Sequence, residues 1–113
     1  MKSKDAVIAL GALAQETRLE AFRLLVQAGE AGMSVGKIAE SLNTAPNGRL
    51  TFHLKELLGA GLIRARPEGR FIFYSVIYPA MNDLLAFLTE NCCGGAPCGT
   101  TFEPCVPRRS DPA

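Results

Sequence analysis

The chain has little excess charge of either sign. Twelve lysines and arginines stand against eleven acidic residues, leaving a formal net charge of +1 over 113 residues. That balance is too small to announce a nucleic-acid partner by composition alone, so any electrostatic argument must rest on where the charges lie. No apolar run approaches the roughly 18 residues that a membrane span needs. The opening residues Met1, Lys2, Ser3, Lys4 and Asp5 lack the apolar core of a secretory signal. A cytoplasmic protein with no membrane partner is therefore expected. The first 91 residues contain no cysteine; Cys92, Cys93, Cys98 and Cys105 all fall in the last quarter. There is one histidine, no phosphate-binding glycine loop, no general-base constellation and no room for a substrate-sized second domain, so the chain is not expected to be an enzyme.

What is present is organised around residues 34–74. Val35, Ile38, Ala39 and Leu42 recur at helical spacing, as do Leu50, Leu54, Leu57 and Leu58. Two short amphipathic helices joined by a tight connection are followed by β-prone runs at residues 62–66 and 70–76, with Pro67, Glu68 and Gly69 expected to form the hairpin turn. This order is that of a winged helix-turn-helix, in which a first helix holds a second whose exposed face enters a DNA groove. Pro46 is expected in the first turn of the second helix, where a proline costs no hydrogen bond. Asn47, Arg49, Thr51 and Lys55 would give its outer face polar groups and positive charge. Within this stretch Lys37, Arg49, Lys55, Arg64, Arg66 and Arg70 are opposed only by Glu40, Glu56 and Glu68. Arginines alternating with apolar residues in the hairpin serve either solubility or contact with phosphate, and the preceding helix pair favours phosphate.

Around this centre, residues 5–14 are apolar on more than one helical face, which fits either a dimer interface or an ordinary core helix. Residues 16–28 form a cleaner amphipath, with Leu19, Phe22, Leu25 and Val26 as its buried stripe. Ser34 is a plausible N-cap for the next helix. A final helix is expected over residues 78–91, with Met81, Leu84, Leu85 and Leu88 on one stripe and Phe87 beside it. Beyond it the composition turns to Gly, Pro and polar residues with little to bury. The expected architecture is thus mainly α with a small β-hairpin, about five helices plus a two-stranded wing. Residues 1–93 would form the DNA-binding and dimerisation domain, and residues 94–113 a flexible tail carrying Cys98 and Cys105.

Several short motifs, in order, resemble the ArsR/SmtB family of winged-helix metalloregulatory repressors. They are Ala14, Gln15, Glu16, Thr17, Arg18 and Leu19; the run from Leu50 through Thr51, Phe52, His53, Leu54, Lys55 and Glu56 to Leu57; Gly59, Ala60, Gly61, Leu62 and Ile63; Glu68, Gly69 and Arg70 with Tyr74; and Asn91, Cys92 and Cys93. The resemblance implies a homodimer built from the first and last helices, binding near-palindromic double-stranded operator DNA through two fourth helices, with the hairpins as wings. It gives His53 a structural or phosphate-contacting place. One departure is Gly48 and Arg49, where relatives more often carry small hydroxyl residues. A lone histidine cannot supply the Asp/His sets of zinc-sensing relatives, and Ile38 and Ala39 stand where some arsenic-sensing relatives keep a Cys-x-Cys pair. Detection must then lie elsewhere.

The cysteine cluster offers that place. Adjacent Cα atoms are about 3.8 Å apart, short of the usual disulfide range of about 4.4 to 6.8 Å. A stable Cys92 to Cys93 disulfide is therefore disfavoured, whereas two thiolates converging on one soft atom is easy. Cys98, across a flexible connection, would make three, the number that trivalent arsenic or antimony takes. A methylated arsenical such as methylarsenite needs only two. The reading is a repressor that needs no cofactor and is released by arsenite or antimonite at Cys92, Cys93 and Cys98. A redox, persulfide or other soft-metal switch on the same fold is the alternative.

Overall fold

A computed structural model describes residues 1–96. Its elements are α1 (Ser3–Leu13), α2 (Glu16–Ala28), β1 (Met33–Ser34), α3 (Val35–Ser41), α4 (Gly48–Gly59), β2 (Ile63–Glu68), β3 (Phe71–Val76) and α5 (Tyr78–Leu88), followed by a short 3-10 turn, Cys92–Gly95. Five helices and a small antiparallel sheet make a winged helix-turn-helix. Among the described residues no helix is long and apolar enough to cross a membrane.

The core is the meeting point of the periodic apolar stripes. Leu50, Leu54 and Leu57 of α4, Ile38 and Ala39 of α3, and Ala21, Phe22 and Leu25 of α2 are buried together with Leu62, Ile63, Tyr74 and Val76 from the sheet. α1 joins this core through the buried Ala6 and Ala9, with Ala12 and Leu13 packed beside them. The small side chains of the two buried alanines let the helix lie close, while Val7, Ile8 and Leu10 face solvent. Tyr78 at the start of α5 donates its hydroxyl proton to the Val26 carbonyl (2.9 Å), tying the last helix back to α2.

Several local expectations are corrected. The sheet has three strands, in the order β1-β3-β2, because Met33 and Ser34 pair with Tyr74 and Phe73. The wing turn is Gly69 and Arg70, with Glu68 opposite Phe71 and Gly69 at φ +63°. Pro67 lies inside β2, which is an edge strand and tolerates a missing N–H. Pro46 lies outside α4, since Asn47 is the N-cap and Gly48 the first helical residue. α5 stops at Leu88 rather than residue 91. There the Thr89 hydroxyl turns back onto the carbonyls of Leu85 (2.9 Å) and Ala86 (3.4 Å), and Asn91 takes a left-handed φ of 57°, which Asn accepts more readily than most residues. Leu19, placed on the buried stripe of α2, is instead 43% exposed, and Leu88 is 53% exposed.

β1 is held against β3 at a point where only glycine fits. Gly32 has φ +73°, and a Cβ there would press on the Tyr74 carbonyl. Gly32→Ala should therefore destabilise the domain by about 2 kcal/mol or more. Gly36→Ala, in open space in α3, should be neutral or stabilise by up to about 1 kcal/mol. Urea unfolding of both variants checks the pair.

Candidate nucleic-acid interface

Two capping interactions set the helix-turn-helix. The Ser34 hydroxyl accepts from the Lys37 backbone N–H (3.4 Å) at the start of α3. The Asn47 Oδ1 accepts from the backbone N–H groups of Arg49 (3.0 Å) and Leu50 (3.3 Å) at the start of α4. Between them the chain reverses at Asn43, in the left-handed region with φ 56°, and the Thr44 N–H bonds the Ala39 carbonyl at 2.9 Å. The inner face of α4 is consequently fixed by its leucines, and its outer face is left to solvent.

That outer face carries most of the residues expected from the sequence. Arg49 and Lys55 are exposed, and Thr51 and His53 are half-buried at its margins. Lys37 is exposed on α3. Asn47 is exposed too, but its side-chain oxygen is committed to capping, which leaves its amide N–H groups for a partner. One large residue of this face escaped the sequence reading: Phe52, 55% exposed. The signal was available, because Phe52 lies off the leucine stripe and three residues from both Arg49 and Lys55.

His53 links α4 to the rest of the fold. Its Nδ1 is 3.4 Å from a terminal nitrogen of Arg18, whose Nε donates to the Ala12 carbonyl at 2.8 Å. Guanidinium only donates, so Nδ1 is the acceptor and the ring proton sits on Nε2. Partial burial, then the positive charges of Arg18 and Arg49, hold the imidazole below its ordinary value of 6.5, against a smaller upward pull from Glu56. The neutral ring thus couples the end of α1, the start of α2 and the middle of α4.

In the wing, the arginines have unequal freedom. Arg66 forms an ion pair with Glu68 (2.8 Å), donates to the Ala31 carbonyl (3.1 Å) and lies 5.6 Å from the centre of the Phe73 ring. It braces the hairpin against the loop before β1, and a phosphate would have to compete with Glu68 for it. Arg70 is exposed in the wing turn.

The sulfur pair lies past the end of α5. Cys92 and Cys93 are exposed, their Sγ atoms are 3.8 Å apart, and Cys93 is left-handed with φ 56°. Cys98 and Cys105 lie outside the described residues. Among the described residues no group of three or more His, Cys, Asp or Glu side chains is placed to hold a metal ion.

Comparison with known proteins agrees with this geometry. A helix-turn-helix domain family matches residues 13–66. An uncharacterised HTH-type transcriptional regulator of Methanocaldococcus jannaschii is 30% identical over 89 residues, covering 79% of this chain and 97% of that protein. Among solved structures, an ArsR-like transcriptional regulator from Rhodococcus sp. RHA1 superposes with a TM-score of 0.67 at 26% identity, covering 81% of this chain and 82% of that one. HlyU from Vibrio cholerae does so with a TM-score of 0.63 at 27% identity, covering 82% and 99%. The chain belongs to the ArsR family of DNA-binding, winged helix-turn-helix transcriptional regulators. Its relatives are regulators of transcription rather than enzymes.

The depressed His53 pKa has a sign that can be measured. The unfolded chain takes up the proton first, so this group leaves stability flat above about pH 6.5 and lowers it as pH falls through the window beneath. Urea unfolding at about pH 7.5 and about pH 5.5 should show the wild type losing more stability on acidification than His53→Gln. Equal losses would mean that the ring is not held neutral.

Proposed function

We propose that this regulator is a repressor that binds operator DNA as a homodimer and lets go when trivalent arsenic or antimony is captured by Cys92, Cys93 and Cys98. The observation that carries the proposal is the pair of exposed thiols, 3.8 Å apart, just beyond the last helix of a DNA-binding regulator. Trivalent arsenic binds thiolates in a pyramid, which draws two sulfurs somewhat closer than they stand here, so a small closing shift of these exposed side chains lets both share one ligand atom. Soft sulfur donors suit a soft acceptor, and arsenite, antimonite and methylarsenite are of that class. Cys98 would supply the third thiolate for the unmethylated forms.

Dimerisation is supported by what the monomer leaves uncovered. Val7, Ile8 and Leu10 on α1 and Leu85 and Leu88 on α5 are all exposed, and α1 and α5 touch one another. A second copy covering them would set two α4 helices against successive major-groove faces, about one helical turn of DNA apart. Ligand capture at Cys92 and Cys93 would restrain the chain leaving α5. Any shift passed into the α1 and α5 contacts would alter the spacing of the two reading helices. By reciprocity, DNA must weaken capture by the factor by which capture weakens DNA binding.

On the DNA side, Arg49, Thr51 and Lys55 would face base edges and Arg70 a phosphate. Lys37, Asn47, His53 and Arg66 would support the docked pose. Arg49→Ala should change which base pairs are preferred. Arg70→Ala should weaken all sequences alike and reduce the slope of log K against log salt by about 1 per protomer. Binding isotherms at several salt concentrations separate the two.

The direct test of the sensor is fluorescence anisotropy on a duplex that the protein itself selects from random-sequence DNA. Arsenite should release the wild type, and Cys92→Ser and Cys93→Ser should bind the same duplex with unchanged affinity but fail to respond. If arsenite leaves wild-type affinity unchanged while peroxide or zinc lowers it, the arsenic reading is wrong and the thiols serve a redox or other metal switch.

A further inference from the structure

The outward face of α4 presents one side chain that neither capping nor charge explains. Successive residues of a helix are turned by about 100°. With Leu50, Leu54 and Leu57 directed into the core, Phe52 therefore points almost opposite to it, flanked by Arg49, Lys55 and Glu56. An aromatic ring in the middle of an otherwise charged surface is left 55% exposed in the protomer. It is also held in position from behind. Its centroid is 5.7 Å from that of the His53 ring, which Arg18 restrains.

The chemistry of the major groove limits what such a ring can meet. Of the four bases only thymine displays an apolar group there, its C5 methyl. Guanine, adenine and cytosine present donors and acceptors that a phenyl ring would cover without satisfying. The flanking Arg49 and Lys55 are exposed and carry donors for the acceptors on the base edges of the same groove. We propose that Phe52 reads thymine methyl groups in the major groove and so sets part of the sequence preference of the regulator. The inference rests on the reading of α4 as the groove-entering helix, and adds a residue and a base identity to it.

The test removes one methyl at a time. Wild type and Phe52→Ala each select duplexes from random-sequence DNA. In the best wild-type duplex, each thymine is then replaced in turn by deoxyuridine, which differs only by the methyl group. Wild type should lose about four-fold in affinity for each contacted methyl removed. Phe52→Ala should bind thymine and uridine duplexes equally at that position, and Phe52→Leu, which keeps an apolar tip, should retain part of the discrimination. Thermal melts by circular dichroism establish that the variants fold. If neither variant folds, the uridine scan of the wild type still decides, because indifference to every substitution overturns the proposal.

A uridine penalty that persists at the same position in Phe52→Ala also overturns it. So does a change in oligomeric state of Phe52→Ala by sedimentation, which would assign the ring to a protein interface. Failure of the wild type to enrich any sequence would sink the groove-reading role of α4 itself. Clear enrichment without a Phe52-dependent uridine effect rejects this inference alone.

Discussion

The seam of Leu50, Leu54 and Leu57 against α2 and the sheet is the constraint on which the rest depends. These side chains are 2%, 0% and 0% exposed, and they meet Ala21, Phe22 and Leu25 in one continuous core. A close-packed interior has discrete arrangements rather than a continuum, so α4 cannot roll or slide without opening cavities. Its outer face is thereby given a fixed direction. A short helix with polar residues on one side has no functional orientation of its own; the buried side provides it.

Two further contacts extend that rigidity to the parts that must move together. Arg18 spans from the Ala12 carbonyl at the end of α1 to His53 on α4. Arg66 spans from the wing to the Ala31 carbonyl in front of β1. The exposed ion pair between Arg66 and Glu68 is worth little by itself. Its carbonyl and ring partners give the arginine a defined place nonetheless. α4 and the wing are thus both referred to the segments around α2, while the paired thiols follow α5, the helix that touches α1.

Much of this was legible in the sequence, because hydrophobic periodicity reports burial directly and the helix pair followed by a hairpin has one economical arrangement. Where the reading went wrong, a local rule met a tertiary circumstance. Pro67 reads as a turn residue until β2 is known to be an edge strand. Leu19 and Leu88 follow the helical stripe, yet within the protomer they are only partly covered. Asn47 was expected on the DNA-facing side and its amide N–H groups remain open to a partner, but its oxygen has the further duty of capping α4. The two residues of β1 are too few to leave a pattern, and Gly32 marks them only through its contact with Tyr74. Phe52 was passed over because apolar residues are read as core by default. The adjacency of Cys92 and Cys93 was visible at once, whereas the left-handed backbone that brings their sulfurs to 3.8 Å was not.

A fixed outer face requires α4 to be part of the core rather than an appended arm. Native-state amide hydrogen exchange measures this residue by residue, since a helix locked into the core opens only when the whole domain does. The amides of Leu54 and Leu57 should exchange with the same free energy of opening as those of Phe22 and Leu25, equal to that of global unfolding. If α4 exchanges through a separate, lower-energy opening while α2 stays protected, the reading face has no fixed direction and the account is contradicted.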